Sequence, residues 1–252
     1  FSRGVPLLLA GVLAMGFGGG ILEGMSSALL ARLYPDRERA MVNLGQAAYC
    51  LGAIVGPFMM GIFLPQGLDW RVFFFGVALL GALDFALFLG GHLESSEQQA
   101  TMSPRAAFDT IKRWSVLQLC LVTFLYVLAE TGVAGFLNIY LFQFSGAPEG
   151  LAIQSIGYFW GVMLLGRLLC GILPAAFPDL VLVFLTMVLG SAGVAVSYLA
   201  DDWPLALACF LGAGFFMGGA WPTTIALTAQ RHRAKASTVV GVTVALGAVG
   251  CV

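Results

Sequence analysis

The stretch Pro6–Leu33, PLLLAGVLAMGFGGGILEGMSSALLARL, is long and apolar enough to cross a bilayer, yet it holds Glu23 in its interior. A membrane-spanning helix needs about 20 predominantly apolar residues, so the run reads as one span. A lone acid at membrane depth costs at least ~2.5 kcal/mol on insertion scales, and such a group faces a cavity or pathway rather than lipid. Asp84 in Val72–Gly91 and Glu130 in Val116–Phe142 share this predicament. Acids kept inside apolar runs point to a chain that moves something across a membrane.

Composition agrees. The 252 residues are 60% hydrophobic and 10% charged, with a mean hydropathy of +0.94, so a water-soluble domain would expose apolar surface on every face. The net charge of −1 and the lack of a basic run exclude a polyelectrolyte partner, so no nucleic acid is expected. Cys50, Cys120, Cys170, Cys209 and Cys251 are scattered singly, which fits buried small hydrophobes and neither a disulfide framework nor a metal site. No cofactor is expected, and no G-x-x-x-x-G-K-[ST] occurs to bind ATP. The chain begins with Phe, shows no signal peptide and ends inside an apolar run, so an internal piece of a longer protein is expected.

Breaks at polar, Gly- or Pro-rich points divide the chain into eight runs: Pro6–Leu33, Ala40–Phe63, Val72–Gly91, Val116–Phe142, Ala152–Ile172, Leu180–Leu199, Leu205–Ala229 and the shorter Thr238–Val252. Each reads as a helix, because only a helix satisfies its own backbone in lipid and no period-two alternation suggests a barrel. Basic residues gather at alternate connections: Arg32, Arg37 and Arg39; Arg105, Lys112 and Arg113; Arg167; and Arg231, Arg233 and Lys235. Such connections are cytoplasmic, so these four are expected inside. The longest connection, His92–Arg113, includes a possible amphipathic stretch, Arg105–Arg113.

Two segments echo each other. Gly16–Gly20, the basic link Arg32–Arg39 and Leu51–Gly56 are matched by Gly214–Gly219, Arg231–Lys235 and Leu246–Gly250. The offset equals about six helices with their loops, as in transporters built from two parallel six-helix repeats. The run Gly52–Pro57 followed by Asp69–Phe74, the link Tyr34–Ala40 and the pair Gly166-Arg167 resemble the major facilitator superfamily from its fourth to its eleventh helix. That resemblance covers nearly the whole chain and implies an all-α, polytopic helical bundle. Residues 1–93 would end the first bundle (helices four to six), 94–113 form the central cytoplasmic loop, and 114–252 begin the second bundle. Within the superfamily, Leu22-Glu23, Asn43-Leu44-Gly45-Gln46 and Tyr126–Glu130 followed by Tyr140 are similar to the fucose–proton symporter and related sugar porters. Leu128 stands where that group has Gly, and Gly24–Ser27 lacks its Asn after the acid.

The resemblance implies a secondary transporter, not an enzyme, taking up a sugar-like solute with a proton; an exporter of the same fold is the alternative. It also implies an integral, multi-pass protein of the cytoplasmic (inner) membrane, acting as a monomer. Glu23 is the expected proton-coupling residue, since burial favours the neutral form of a carboxyl and allows a proton to be taken up and released. The competing role is an acid kept protonated as interhelical glue. Asn43 and Gln46, one turn apart, offer the paired donors and acceptors a sugar needs, or they cap and hydrate a helix end. Glu130 and Asn138 share a face of one run and bind ligand or a neighbouring helix. Trp160 stacks on a sugar or packs. Asp84 is expected in the bundle interior. Arg167 is expected as a latch or interfacial anchor, His92 and His232 as solvated, and Pro222 as a kink that frees a carbonyl near Gly218.

Overall fold

Each of the eight apolar runs is helical in the computed structural model, which describes residues 4–63, 66–69, 71–90, 112–173 and 177–251. The order is α1 (Val5–Leu33), α2 (Glu38–Phe63), α3 (Arg71–Gly90), α4 (Trp114–Ile139), α5 (Glu149–Ile172), α6 (Asp179–Ser197), α7 (Trp203–Met217), α8 (Ala220–Arg231) and α9 (Ala236–Ala248). A π-turn, Tyr140–Phe144, extends α4, and a 3-10 turn, Val249–Cys251, follows α9. Six stretches among the described residues are long and apolar enough to span a membrane: Val5–Leu33, Glu38–Met59, Trp114–Phe144, Glu149–Ile172, Asp179–Ser197 and Trp203–Arg231. The stretch Arg105–Ile111 lies outside the described residues.

Local chemistry sets the boundaries. Pro6 occupies the first turn of α1, where its missing N–H removes no helical bond. Pro35 follows the end of α1, and Asp202 caps α7 by accepting from the Leu205 N–H at 2.9 Å. The run expected as one helix over Leu205–Ala229 is two, α7 and α8, broken at Gly218-Gly219. Pro222 has no N–H to give the carbonyl of Gly218, so the ladder opens there.

The broadest packing sets α2 against α5, with α7 on the other flank of α5. Gly166 makes the second contact possible, since a Cβ there would meet the carbonyl oxygen of Phe215. Gly218 does the same opposite Met163. Small residues let apolar helices approach until their backbones touch. Helix α6 lies against α7 and α8, while α9 bridges α4 to α1. Tyr126, Phe159, Phe210, Trp221 and Ile225 fill the core. The outer faces carry Leu13, Phe17, Phe85 and Phe184, all largely exposed, as lipid-facing positions should be.

Asp84 departs from expectation. It is exposed on α3, whose side chains are uncovered along nearly all its length and which makes no extensive contact with another described helix. Interior burial needs a neighbour on that face, and none of the described helices supplies one.

Among the described residues, the start of α2, the turn after α5, the end of α8 and Arg113 meet at one end of the molecule. Arg39 donates to Leu173 O at 2.6 Å, to Phe177 O at 2.9 Å and to Asp179 Oδ1 at 2.6 Å. Gln230 donates to Asp179 Oδ2 at 3.2 Å, and Arg233 lies 3.9 Å from Glu38. Partial burial, helped by the nearby Arg113 and Arg231, holds the imidazole of His232 below the usual range. His232 is therefore not simply solvated: its Nε2 is buried with no hydrogen-bond partner.

Candidate functional site

Glu23 and Ser27 stand one turn apart on α1 and turn the same face to α2. There Gln46 donates from Nε2 to Glu23 Oε1 and to Ser27 Oγ, both at 3.4 Å. An amide presents a donor and an acceptor at fixed separation, so Gln46 also faces the other way. Its backbone carbonyl accepts from Arg167 Nη1 at 2.7 Å and its Oε1 at 3.5 Å.

Arg167 is the centre of the site and the main correction to the sequence reading. It is no loop residue: it sits within α5, short of the helix end at Ile172, and is only 2% exposed. Its Nη2 contacts Glu130 Oε1 at 3.3 Å and Met163 Sδ at 3.6 Å. Its Nε donates to Gly218 O at 3.2 Å, the carbonyl released by Pro222. The ring of Tyr49 lies under the guanidinium, 5.8 Å from centroid to Cζ. A signal was present in the sequence, since an Arg inside an apolar run is as anomalous as Glu23. Positive-inside counting assigns any basic residue near a helix end to the adjoining loop. Without Arg167, that connection borrows its positive charge from Arg39.

Glu130 completes the cluster from α4. One turn earlier, Tyr126 donates to the same Oε1 at 2.8 Å, and Trp221 stacks on the Tyr126 ring at 6.3 Å. The buried indole N–H of Trp221 interacts with Glu23 from beyond ordinary hydrogen-bond geometry. A continuous polar path thus runs Glu23, Gln46, Arg167, Glu130, Tyr126 across α1, α2, α5 and α4. A buried guanidinium is costly unless paired, and removing one partner of such a pair costs about 3–5 kcal/mol.

The other expected residues fall at varied distances from this path. Asn43 is fully buried and donates to Arg39 O at 2.9 Å and Thr223 Oγ1 at 3.5 Å, tying α2 to α8. Trp160 is half-buried and meets Tyr49 edge-on at 5.7 Å, so it touches the cluster through that ring. Asn138, two turns beyond Glu130, is half-buried with an unpartnered Oδ1 and makes no described contact with the cluster. Tyr49 carried no signal in the sequence, because an aromatic in an apolar run is unremarkable until its neighbours are known.

Residues 1–252 match the family described as Major Facilitator Superfamily. Over 88 residues the chain is 36% identical to the Acurin A biosynthesis cluster MFS-type transporter of Aspergillus aculeatus, a match covering 34% of this chain and 16% of that protein. No solved structure matches. With the helical bundle and its intramembrane charges, the match over the full sequence settles the family: the chain belongs to the major facilitator superfamily.

Proposed function

We propose that this chain is part of a proton-coupled secondary transporter that takes up a small polar, sugar-like solute by alternating access. Residues 1–93 and 114–252 would belong to two bundles that rock about a site between them. The observation that carries this is the polar path from Glu23 on α1 to Glu130 on α4, which crosses from one side of the central loop to the other. Glu23 is the proton site in this scheme: it is the acid on the path that forms no ion pair among the described residues, and Gln46 reports its protonation state to Arg167. Gln46 and Trp160 border the solute, whereas Asn43 holds α2 to α8 and acts indirectly. Asn138 offers an open acceptor further along α4.

The test uses the full-length protein in vesicles with a panel of labelled sugars and a pH gradient. Glu23→Gln imitates the protonated acid. It should lose uphill accumulation and keep counterflow exchange, which needs no net proton movement. Uphill accumulation by that variant removes Glu23 from coupling. A proton-coupled exporter is the second reading, favoured by the similar transporter's assignment to a biosynthesis cluster. Efflux against a gradient from cells, with no uptake from the same panel, would select it.

A further inference from the structure

Glu23 lies on α1 and Trp221 in the first turn of α8, on opposite sides of the central loop, yet α9 brings them together. Gly24, the neighbour of Glu23, is placed so that a Cβ there would stand 3.8 Å from Val244 Cγ1. The ring of Trp221 covers Gly247, where a Cβ would meet its Cζ3 at 2.9 Å. Val244 and Gly247 share one face of α9, since residues three apart on a helix are neighbours. That face sets the carboxyl and the indole side by side. The buried indole is also stacked on Tyr126 at 6.3 Å, so α4 and α9 hold it in place. Its N–H interacts with Glu23. Gln46 reaches the acid from α2, on the same side of the loop, whereas Trp221 brings an N–H to it from the other. The titratable and charged groups around the acid are Tyr49 from α2, Glu130 from α4 and Arg167 from α5. Helix α9 has no titratable side chain, and Arg231 stands at the far end of α8.

We propose that Trp221 is the positioning residue that makes the second bundle respond to the charge on Glu23: its indole N–H closes onto the ionised carboxylate and withdraws when the carboxyl takes a proton. The proposal rests on the proton-coupled reading above and deepens it. A hydrogen bond to an ionised oxygen is about twice as strong as one between neutral groups, so arrival of the proton loosens this contact. Trp221 is well placed to pass the change on. Pro222 follows it directly, and the break at Gly218-Gly219 lies less than one turn before it. The missing Pro222 N–H leaves this turn with fewer helical bonds to hold it when the indole shifts. The ring supplies packing that a phenylalanine can also supply. Only the N–H distinguishes the two states of the acid.

The first measurement needs no solute, because the proton is the ligand. Tryptophan emission of the full-length protein in vesicles is recorded from about pH 5 to about pH 9 for the parent and for Trp221→Phe. The difference between them is the contribution of Trp221. It should change with pH in one step, and the same difference taken in a Glu23→Gln background should be flat. The second measurement is uptake of the labelled sugars under a pH gradient. Uptake that needs the protonated acid declines as pH rises through its titration. Trp221→Phe should move the midpoint of that decline upward by about half a pH unit or more, because an N–H that favours the ionised acid is lost. A tryptophan that only packs changes neither result. Should Trp221→Phe not fold, the parent and Glu23→Gln decide alone: the pH-dependent part of the total emission should vanish in the variant, and its survival overturns the proposal. A contribution of Trp221 that does not titrate, one that still titrates in Glu23→Gln, or an unmoved uptake midpoint overturns the proposal and leaves Glu23 as the proton site. A step that Glu23→Gln abolishes, in a protein that accumulates none of the sugars, supports the role of Trp221 and overturns proton-coupled sugar uptake instead.

Discussion

At the scale of the residue, Arg167 and Glu130 are unequal partners. A carboxyl left without its cation can take a proton and become neutral, whereas a guanidinium left alone stays charged. Removing the acid should therefore hurt more than removing the base. Glu130→Ala is expected to lower the stability of the detergent-solubilised protein by about 3–5 kcal/mol, and Arg167→Gln by clearly less. Thermal melts of both variants check the order, and the reverse order would show that Glu130 is not the group holding the cation in place. His232 gives a second expectation outside the membrane-spanning segments. Its imidazole is held below the usual range by burial and by Arg113 and Arg231, so the unfolded chain takes up the proton first as pH falls. Its contribution is fully present above the ordinary histidine value and is lost as pH drops through the lower, folded value. Melting temperature should thus fall less on acidification in His232→Gln than in the parent; parallel curves would contradict this.

At the scale of the element, the broken pair α7 and α8 links backbone chemistry to the site. Pro222 leaves the Gly218 carbonyl free, and Arg167 Nε takes it at 3.2 Å. Pro222→Ala restores an N–H that can reclaim this carbonyl and straighten the two helices into one. Folded yield should persist while transport falls, as the guanidinium loses an anchor. Unchanged transport would show that the break is incidental. The helices and a kink that frees the Gly218 carbonyl were legible in the sequence, because apolar length and the i−4 consequence of proline are local properties; the full break into α7 and α8 was not. The partners of Asn43 were not: Thr223 lies far along the chain, and only the packing of α2 on α8 brings the two together. Arg167 failed for a different reason. Its residue type was anomalous, but a counting rule for loops absorbed the anomaly, and nothing local distinguishes an arginine at a helix end from one turned into the bundle. Asp84 shows the converse, an acid whose apolar run suggested burial although no described helix covers it.

At the scale of the whole molecule, Arg39 clamps the end where the start of α2 meets the turn after α5. It starts from α2, before the central loop, and grips Leu173, Phe177 and Asp179, all beyond it. Its side chain is 8% exposed and that of Asp179 15%, so solvent screens the pair far less than a surface bridge. If the two bundles rock as proposed, this clamp holds them together at that end and must open for the cycle to proceed. Cys50 provides an internal reporter. It is fully buried on α2 and faces Arg167 and Glu130 on the other side of the loop, so separating the bundles would uncover it. In a variant retaining only this cysteine, Arg39→Ala should speed thiol labelling of Cys50 by about tenfold or more, the shift expected when about 1.4 kcal/mol is taken from the closed state. Arg39→Lys keeps the charge but cannot reach two carbonyls and a carboxylate together, so its rate should lie between. The direction of transport gives the complementary check. A protein freed of its clamp should still exchange solute downhill while its uphill rate falls, because one conformation is overpopulated. If Cys50 labels at the parent rate in both variants, the contacts of Arg39 only secure the turn after α5, and the gate must be sought elsewhere in the fold.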